Sequence, residues 1–387
     1  MALSIQQLAA SLAPVRAGLD LSSIVQSAIT IQQIPAPTFA EKQRAEFIRD
    51  SFVRLGLQDV ELDDVYNVYG RWPGTDPDRP AVLVSAHTDT VFPQDADLAV
   101  RHEGEQVCGP GIGDNSLGVA GLLTLLKALH THDLHPTADL WLAANSREEG
   151  LGDLGGIRAI WQKLGPRLGA AVIIEGMALG RIYHAGIAVR RRRIVCQSPG
   201  GHSWLHFGRP SAIHGLIELG AQIIGIRPPE QPRTTYNIGL IEGGHSVNSL
   251  ATSAALYLDL RSETPDGLAA LEQQVYRMIE ALNRPGYEYT STIVGDRPAG
   301  SISTEHPLVQ MAAAAMDVIG YKPTYETGST DANVLLANGL PTVTVGVTHG
   351  SNAHRLDEYV ETGPVVDGVW HIILLALAAA GWKSGQD

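Results

Sequence analysis

Only two cysteines, Cys108 and Cys196, occur in the 387 residues, so neither a disulfide framework nor a four-thiolate zinc site can be built. Positive charge is scarce as well: 28 Lys and Arg stand against 41 Asp and Glu, a net charge of −13. That balance argues against a nucleic-acid partner and against an anionic membrane, but it does not disfavour cations. No run of about 20 uncharged apolar residues is present. The opening MALSIQQLAASLAPVRAGLDL has no basic segment followed by a compact apolar stretch. A soluble, cytoplasmic protein is the expectation. With 44% hydrophobic and 18% charged residues the composition is globular, neither disordered nor coiled coil. The length exceeds one ordinary core, so two domains, or one with a large insertion, are expected.

Apolar spacing predicts two helices within 21–57, broken at Ile34-Pro35-Ala36-Pro37, and then a strand over 60–70. Residues 81–86 form a continuous apolar run, as strands read when both sheet faces are covered; 139–144 is another strand of this buried type and 170–174 a short apolar one. Helices are expected at 117–130 and 158–164. Strands alternating with helices indicate an α/β domain with a mostly parallel sheet. From 187 to 296 the order changes to strand, helix, two strands, helix, strand, the ferredoxin-like α+β arrangement. After Pro298 the α/β pattern resumes, with helices at 308–319, 331–338 and 365–380 and a strand at 342–347. The expected organisation is a discontinuous domain, 1–186 with 297–387, carrying an inserted domain at 187–296.

Chemistry-bearing residues follow the apolar strands. The run 81–86 leads into His87-Thr88-Asp89, and a period of two puts His87 and Asp89 on one face. A metal-binding imidazole commonly donates its second N–H to a carboxylate, so this pair suits a ligand with its partner. A glycine-rich turn, Cys108 to Gly118, places Asp114 just before a helix. It fits neither a dinucleotide fingerprint nor a P-loop, and the P-loop lysine is missing. The run 139–144 leads into Glu148-Glu149, adjacent carboxylates that point apart, so that one can bind metal while the other meets a water. Such a pair is commonly a solvated turn, but here a buried strand aims it at the sheet edge where α/β proteins place ligands. Glu175 ends the run 170–174, and His354, preferred over His349, follows 342–347. Two imidazoles and three carboxylates suit a borderline cation such as zinc, and an odd carboxylate between two His–carboxylate pairs suggests a dinuclear site.

These residues resemble the co-catalytic zinc metallopeptidases, a family that includes aminoacylase, the acetylornithine and succinyl-diaminopimelate deacylases, glutamate carboxypeptidase and peptidase T. The likeness runs from Ile34-Pro-Ala-Pro-Thr38 to His354-Arg-Leu-Asp-Glu-Tyr359. It implies two Zn²⁺, with Co²⁺ or Mn²⁺ as substitutes: His87 and Glu175 on one ion, Glu149 and His354 on the other, and Asp114 between them. Asp89 then orients His87 and Glu148 is the general base. The inserted segment becomes a lid and dimerisation domain, whose Pro199-Gly-Gly-His202-Ser brings His202 to a neighbouring subunit's site. Asn248 and Arg261 resemble contacts to a substrate carboxylate, and Gly328-Ser329 a pocket-lining loop. Asp114-Asn115-Ser116 is closer to the peptidase T branch, whereas Glu175 is usual among deacylases and carboxypeptidases, so the motifs pull substrate class in two directions. Arg190-Arg-Arg-Arg193, superficially a nuclear-localisation signal, reads within an alternating strand as a mix of solvated and ion-paired positions.

The expected function is amide or peptide-bond hydrolysis of a small peptide or N-acyl amino acid. The rival from another class is a catalytically silent metal-binding or interaction protein on this fold, which the intact Glu148 disfavours. An α/β serine hydrolase is excluded, because no G-x-S-x-G elbow occurs.

Overall fold

A computed structural model describes residues 4–382. They fall into two compact units: one holds everything up to Gly186 and from Gly300 onward, the other is Ile187–Ala299.

The first unit is built on a nine-stranded mixed sheet. Its order is Gln58–Leu62, Val68–Trp72, Leu140–Asn145, Ala81–His87, Leu168–Glu175, Thr342–Gly346, Arg181–Gly186 and Gly300–Ser301, with Thr324–Gly328 pairing alongside Arg181–Gly186. The four strands from Leu140–Asn145 to Thr342–Gly346 run parallel, so their carboxyl ends share one edge. Their continuous apolar character has a direct cause. Val82, Val84 and Ala86 enter one core beside the helices Leu117–Thr131 and Val365–Ala379, while Ala81 and Leu83 enter the other beside Gly155–Leu164 and Ala332–Ala337. Each fully buried Leu, Ile or Val contributes roughly 1.5–3 kcal/mol.

The stretch 60–70 differs from expectation: it is two antiparallel strands, Gln58–Leu62 and Val68–Trp72. Asp63 breaks it, because its side chain accepts the N–H groups of Val65 and Asn67 and bends the chain into a turn. Strands at Arg181–Gly186 and Thr324–Gly328 and the helices Ile5–Ser11 and Ala13–Ala17 were not expected from apolar spacing.

The second unit has the element order Ala188–Gln197, helix Ala212–Ile224, Thr234–Gly243, Ser253–Ser262, helix Pro265–Leu282, Glu288–Arg297. Its four long strands form one antiparallel sheet with Ser253–Ser262 and Ala188–Gln197 in the middle. Both helices contribute to its separate core, through Leu216, Leu219, Leu271 and Val275. The last strand runs through Arg297, so this unit ends slightly later than the 296 expected. Among the described residues no helix is long and apolar enough to cross a membrane.

Candidate metal centre

At the carboxyl edge of the parallel strands, side chains from five segments converge. His87, at 1% exposure, ends its strand and points Nε2 at Asp114 Oδ1 (3.1 Å) and Glu175 Oε2 (3.6 Å). The other oxygen of Asp114, Oδ2, lies 3.2 Å from Nε2 of His354, which is 3.0 Å from Glu149 Oε1. Asp114 therefore faces one histidine with each oxygen. Three triads, His87–Asp114–Glu175, Asp114–Glu149–His354 and His87–Glu148–Glu149, each bring ligand atoms within 4.8 Å of one another. All five predicted ligands and Glu148 thus meet at one place.

Electrostatics describe a site short of positive charge. Burial opposes charging His87, yet Glu175, Asp114 and Asp89 hold its pKa well above the usual imidazole range. Hydrogen bonds to Asp114 and Glu149 push His354 up to about 10. Burial, with Asp114 close by, raises Glu149 to about 7. Burial also raises Glu175 to about 7, against the pull of His87. Burial works against the ionised Asp114 too, but the two histidines keep it below the ordinary carboxylate value. Crowded carboxylates that lift their neighbouring imidazoles call for cations. The donor set, two imidazoles and three carboxylates with one shared between two triads, fits a pair of divalent ions such as zinc.

The frame behind these groups explains their precision. His87 Nδ1 meets the backbone oxygen of Asp89 at 3.1 Å and its carboxylate at 3.5 Å. The fully buried Asp89 carboxylate also accepts the N–H groups of Glu148 (2.9 Å) and Glu149 (3.0 Å) and the Thr38 hydroxyl (2.9 Å). Asp89 thus fixes the acidic pair as well as the imidazole, a second task that the His-x-Asp spacing does not reveal. Glu41, also fully buried, accepts the N–H of Arg147. Asn115 brackets Glu175, donating to the Ile174 carbonyl (2.7 Å) and accepting from the Gly176 N–H (2.8 Å). Gly176, after Glu175, packs closely against the turn that carries Asp114: a Cβ on it would lie 2.1 Å from the Gly113 oxygen. Arg147 and His354 adopt left-handed backbone, at φ 54° and 66°, a conformation that non-glycine residues reserve largely for constrained sites. Asn115 and Glu41 escaped sequence reasoning because their partners are backbone groups.

The other predicted site residues fall on other segments of the chain. His202, Asn248 and Arg261 belong to the second unit. Exposed His202 accepts from the Trp204 N–H through Nδ1 at 3.2 Å. Exposed Asn248 accepts from the Ser246 hydroxyl at 2.5 Å. Arg261 Nε is 2.6 Å from Asp259, which also holds Arg191, an ion pair within the sheet. The arginine run is mixed: Arg192 is buried against Glu272, whereas Arg193 is half-exposed beside Glu242. Gly328, which ends its strand, and half-buried Ser329, on the loop that leads from it to Asp331, stay in the first unit. That carboxylate is fully buried and bonded by Asn145 at 2.7 Å, which ties the loop to the strand preceding Glu148.

Comparison with known proteins agrees with this architecture. Peptidase T of Aeromonas salmonicida is 24% identical, over 88% of this chain and 91% of its own. Succinyl-diaminopimelate desuccinylase of Corynebacterium glutamicum is 26% identical, over 86% and 90%. The crystal structure of a tripeptidase from Staphylococcus aureus superposes with a TM-score of 0.75 over 94% of this chain and 99% of that one, at 19% identity. The family model of peptidase family M20/M25/M40 matches residues 83–376. The chain therefore belongs to peptidase family M20/M25/M40.

Proposed function

We propose that the protein is a metal-dependent hydrolase that cleaves the amide bond of a small peptide or an N-acyl amino acid, working with two zinc ions. The observation that carries this reading is the position of Asp114, one oxygen toward His87 and Glu175 and the other toward Glu149 and His354. His87 and Glu175 would hold one ion, Glu149 and His354 the other, with Asp114 shared. When bound, such ions polarise a carbonyl and bring the pKa of a water toward about 7. The chain supplies the rest. Glu148, 6% exposed and on the same turn as Glu149, takes the water's proton on its carboxylate and returns it to the leaving nitrogen. Asp89 holds Glu148 in register through the backbone N–H, so the base cannot drift from the imidazole it works beside. Substrate class rests on the relatives, one named as a peptidase and one as a desuccinylase.

The test is a screen of dipeptides, tripeptides and N-acyl amino acids against protein loaded with zinc or cobalt. Turnover of at least one class should vanish on chelation and return with metal. Full activity after verified metal removal would overturn the proposal.

A further inference from the structure

Asp114 sits on an irregular turn, Ile112–Ser116, with no strand to hold it. Its backbone is nevertheless hydrogen-bonded, and the acceptor comes from far along the chain. Glu358, at 0% exposure, takes the N–H of Gly111 on one carboxylate oxygen (3.2 Å) and those of Gly113 (2.7 Å) and Asp114 (2.9 Å) on the other. Its carbonyl accepts from the Gly109 N–H (2.8 Å), and its own N–H donates to Arg355 (3.1 Å), in the turn that begins at His354. Next to it, Tyr359 pairs with Cys108 in an antiparallel ladder. One residue therefore fastens the loop of Asp114 to the segment of His354.

The chemistry of this clamp is specific. Convergent backbone N–H groups form an anion-binding concavity, and here the anion is a side chain of the same molecule. Among the described residues the carboxylate has no cationic partner. Placing one carboxylate behind another is electrostatically unfavourable, and the three N–H groups offset that cost. An apolar residue in its place would leave those N–H groups buried and unpaired.

We infer that Glu358 is a positioning residue for the metal centre, holding Asp114 where its two oxygens serve both ions. The inference rests on the proposed reading of Asp114 as the shared ligand. It is tested by zinc titration calorimetry and metal analysis on Glu358→Ala and Glu358→Gln, beside Asp139→Asn as a control for general destabilisation. Asp139 holds the Gly74 N–H at the opposite end of the Leu140–Asn145 strand. Residues that orient ligands typically change metal affinity by about 10–100-fold. The wild type should bind two equivalents, and Glu358→Ala should bind the second about 10–100-fold more weakly. Its kcat should fall with KM nearly unchanged, and excess zinc should restore turnover. Glu358→Gln keeps the volume and one acceptor oxygen, so it should lie between the two, and it decides the matter if the alanine variant does not fold. Wild-type affinity for both equivalents in the Gln and Ala variants would overturn the inference while leaving the proposed function intact. So would an equal loss in Asp139→Asn at matched thermal stability. A wild type that binds no divalent metal would overturn both.

Discussion

Adjacent carboxylates on one turn do different work because the backbone between them is pinned. Asp89 accepts the N–H of Glu148 on one oxygen and that of Glu149 on the other, so neither side chain can rotate the turn to take the other's place. Glu149 reaches His354; Glu148 instead groups with His87 and Glu149, without His354. Glu148→Gln, which keeps shape and loses the proton acceptor, should lower turnover by at least ~10²-fold with metal content nearly unchanged. Glu149→Gln should instead lose metal. Metal analysis beside steady-state kinetics checks both, and the reverse pattern would refute the assignment. At this scale the sequence was informative where a residue ends a buried strand, as His87 and Glu175 do. It was silent on Asn115, Glu41 and Glu358, whose partners are backbone N–H and C=O groups that carry no residue identity.

Among elements, the helix Val365–Ala379 carries a histidine whose charge its surroundings refuse. His371 is fully buried, its Nε2 donates to the Ala312 carbonyl at 3.2 Å, and its Nδ1 has no partner among the described residues. Burial lowers its pKa from 6.5 to about 4. Between those values the unfolded chain binds the extra proton and the folded one does not. Its contribution to stability is therefore complete above about pH 6.5 and is lost as the pH falls toward 4. The gap corresponds to about 3 kcal/mol. Urea unfolding across that window should show a stability slope that is largely flattened in His371→Leu; an unchanged slope would assign the acid sensitivity to other groups. The elements themselves were legible in proportion to burial. The runs 81–86 and 170–174 announced themselves because both faces of their strands are covered. Arg181–Gly186, half-buried along its middle, reads as ordinary loop. Val68–Trp72 merged with its neighbour because an Asp63 turn separates them rather than glycine or proline.

For the molecule as a whole, composition and the change of pattern near 187 and 297 indicated a discontinuous organisation; the described residues form two compact units, one of them Ile187–Ala299. Family likeness adds a proposal that geometry within one chain does not address: His202 completes the site of a neighbouring copy. Mixing His202→Ala with Glu148→Gln under conditions of subunit exchange should restore part of the activity that each lacks. A mixture that stays inactive after exchange is demonstrated would confine His202 to its own chain or to no catalytic part.

The pairing of His354 with Glu149 closes a span of 205 residues, and the whole Ile187–Ala299 unit lies inside that span. On the ribosome, His87, Asp114, Glu148, Glu149 and Glu175 all emerge before that unit is made, and His354 only after it. Until then the site's members are four carboxylates and a single imidazole, with no clamp from Glu358. The sheet strand Thr342–Gly346 and the core helix Val365–Ala379 are also made after that unit, so sheet and site are completed together. Nascent chains arrested before residue 354 would lack His354, Glu358 and the core helix Val365–Ala379, and with them the full ligand set that the proposed function requires.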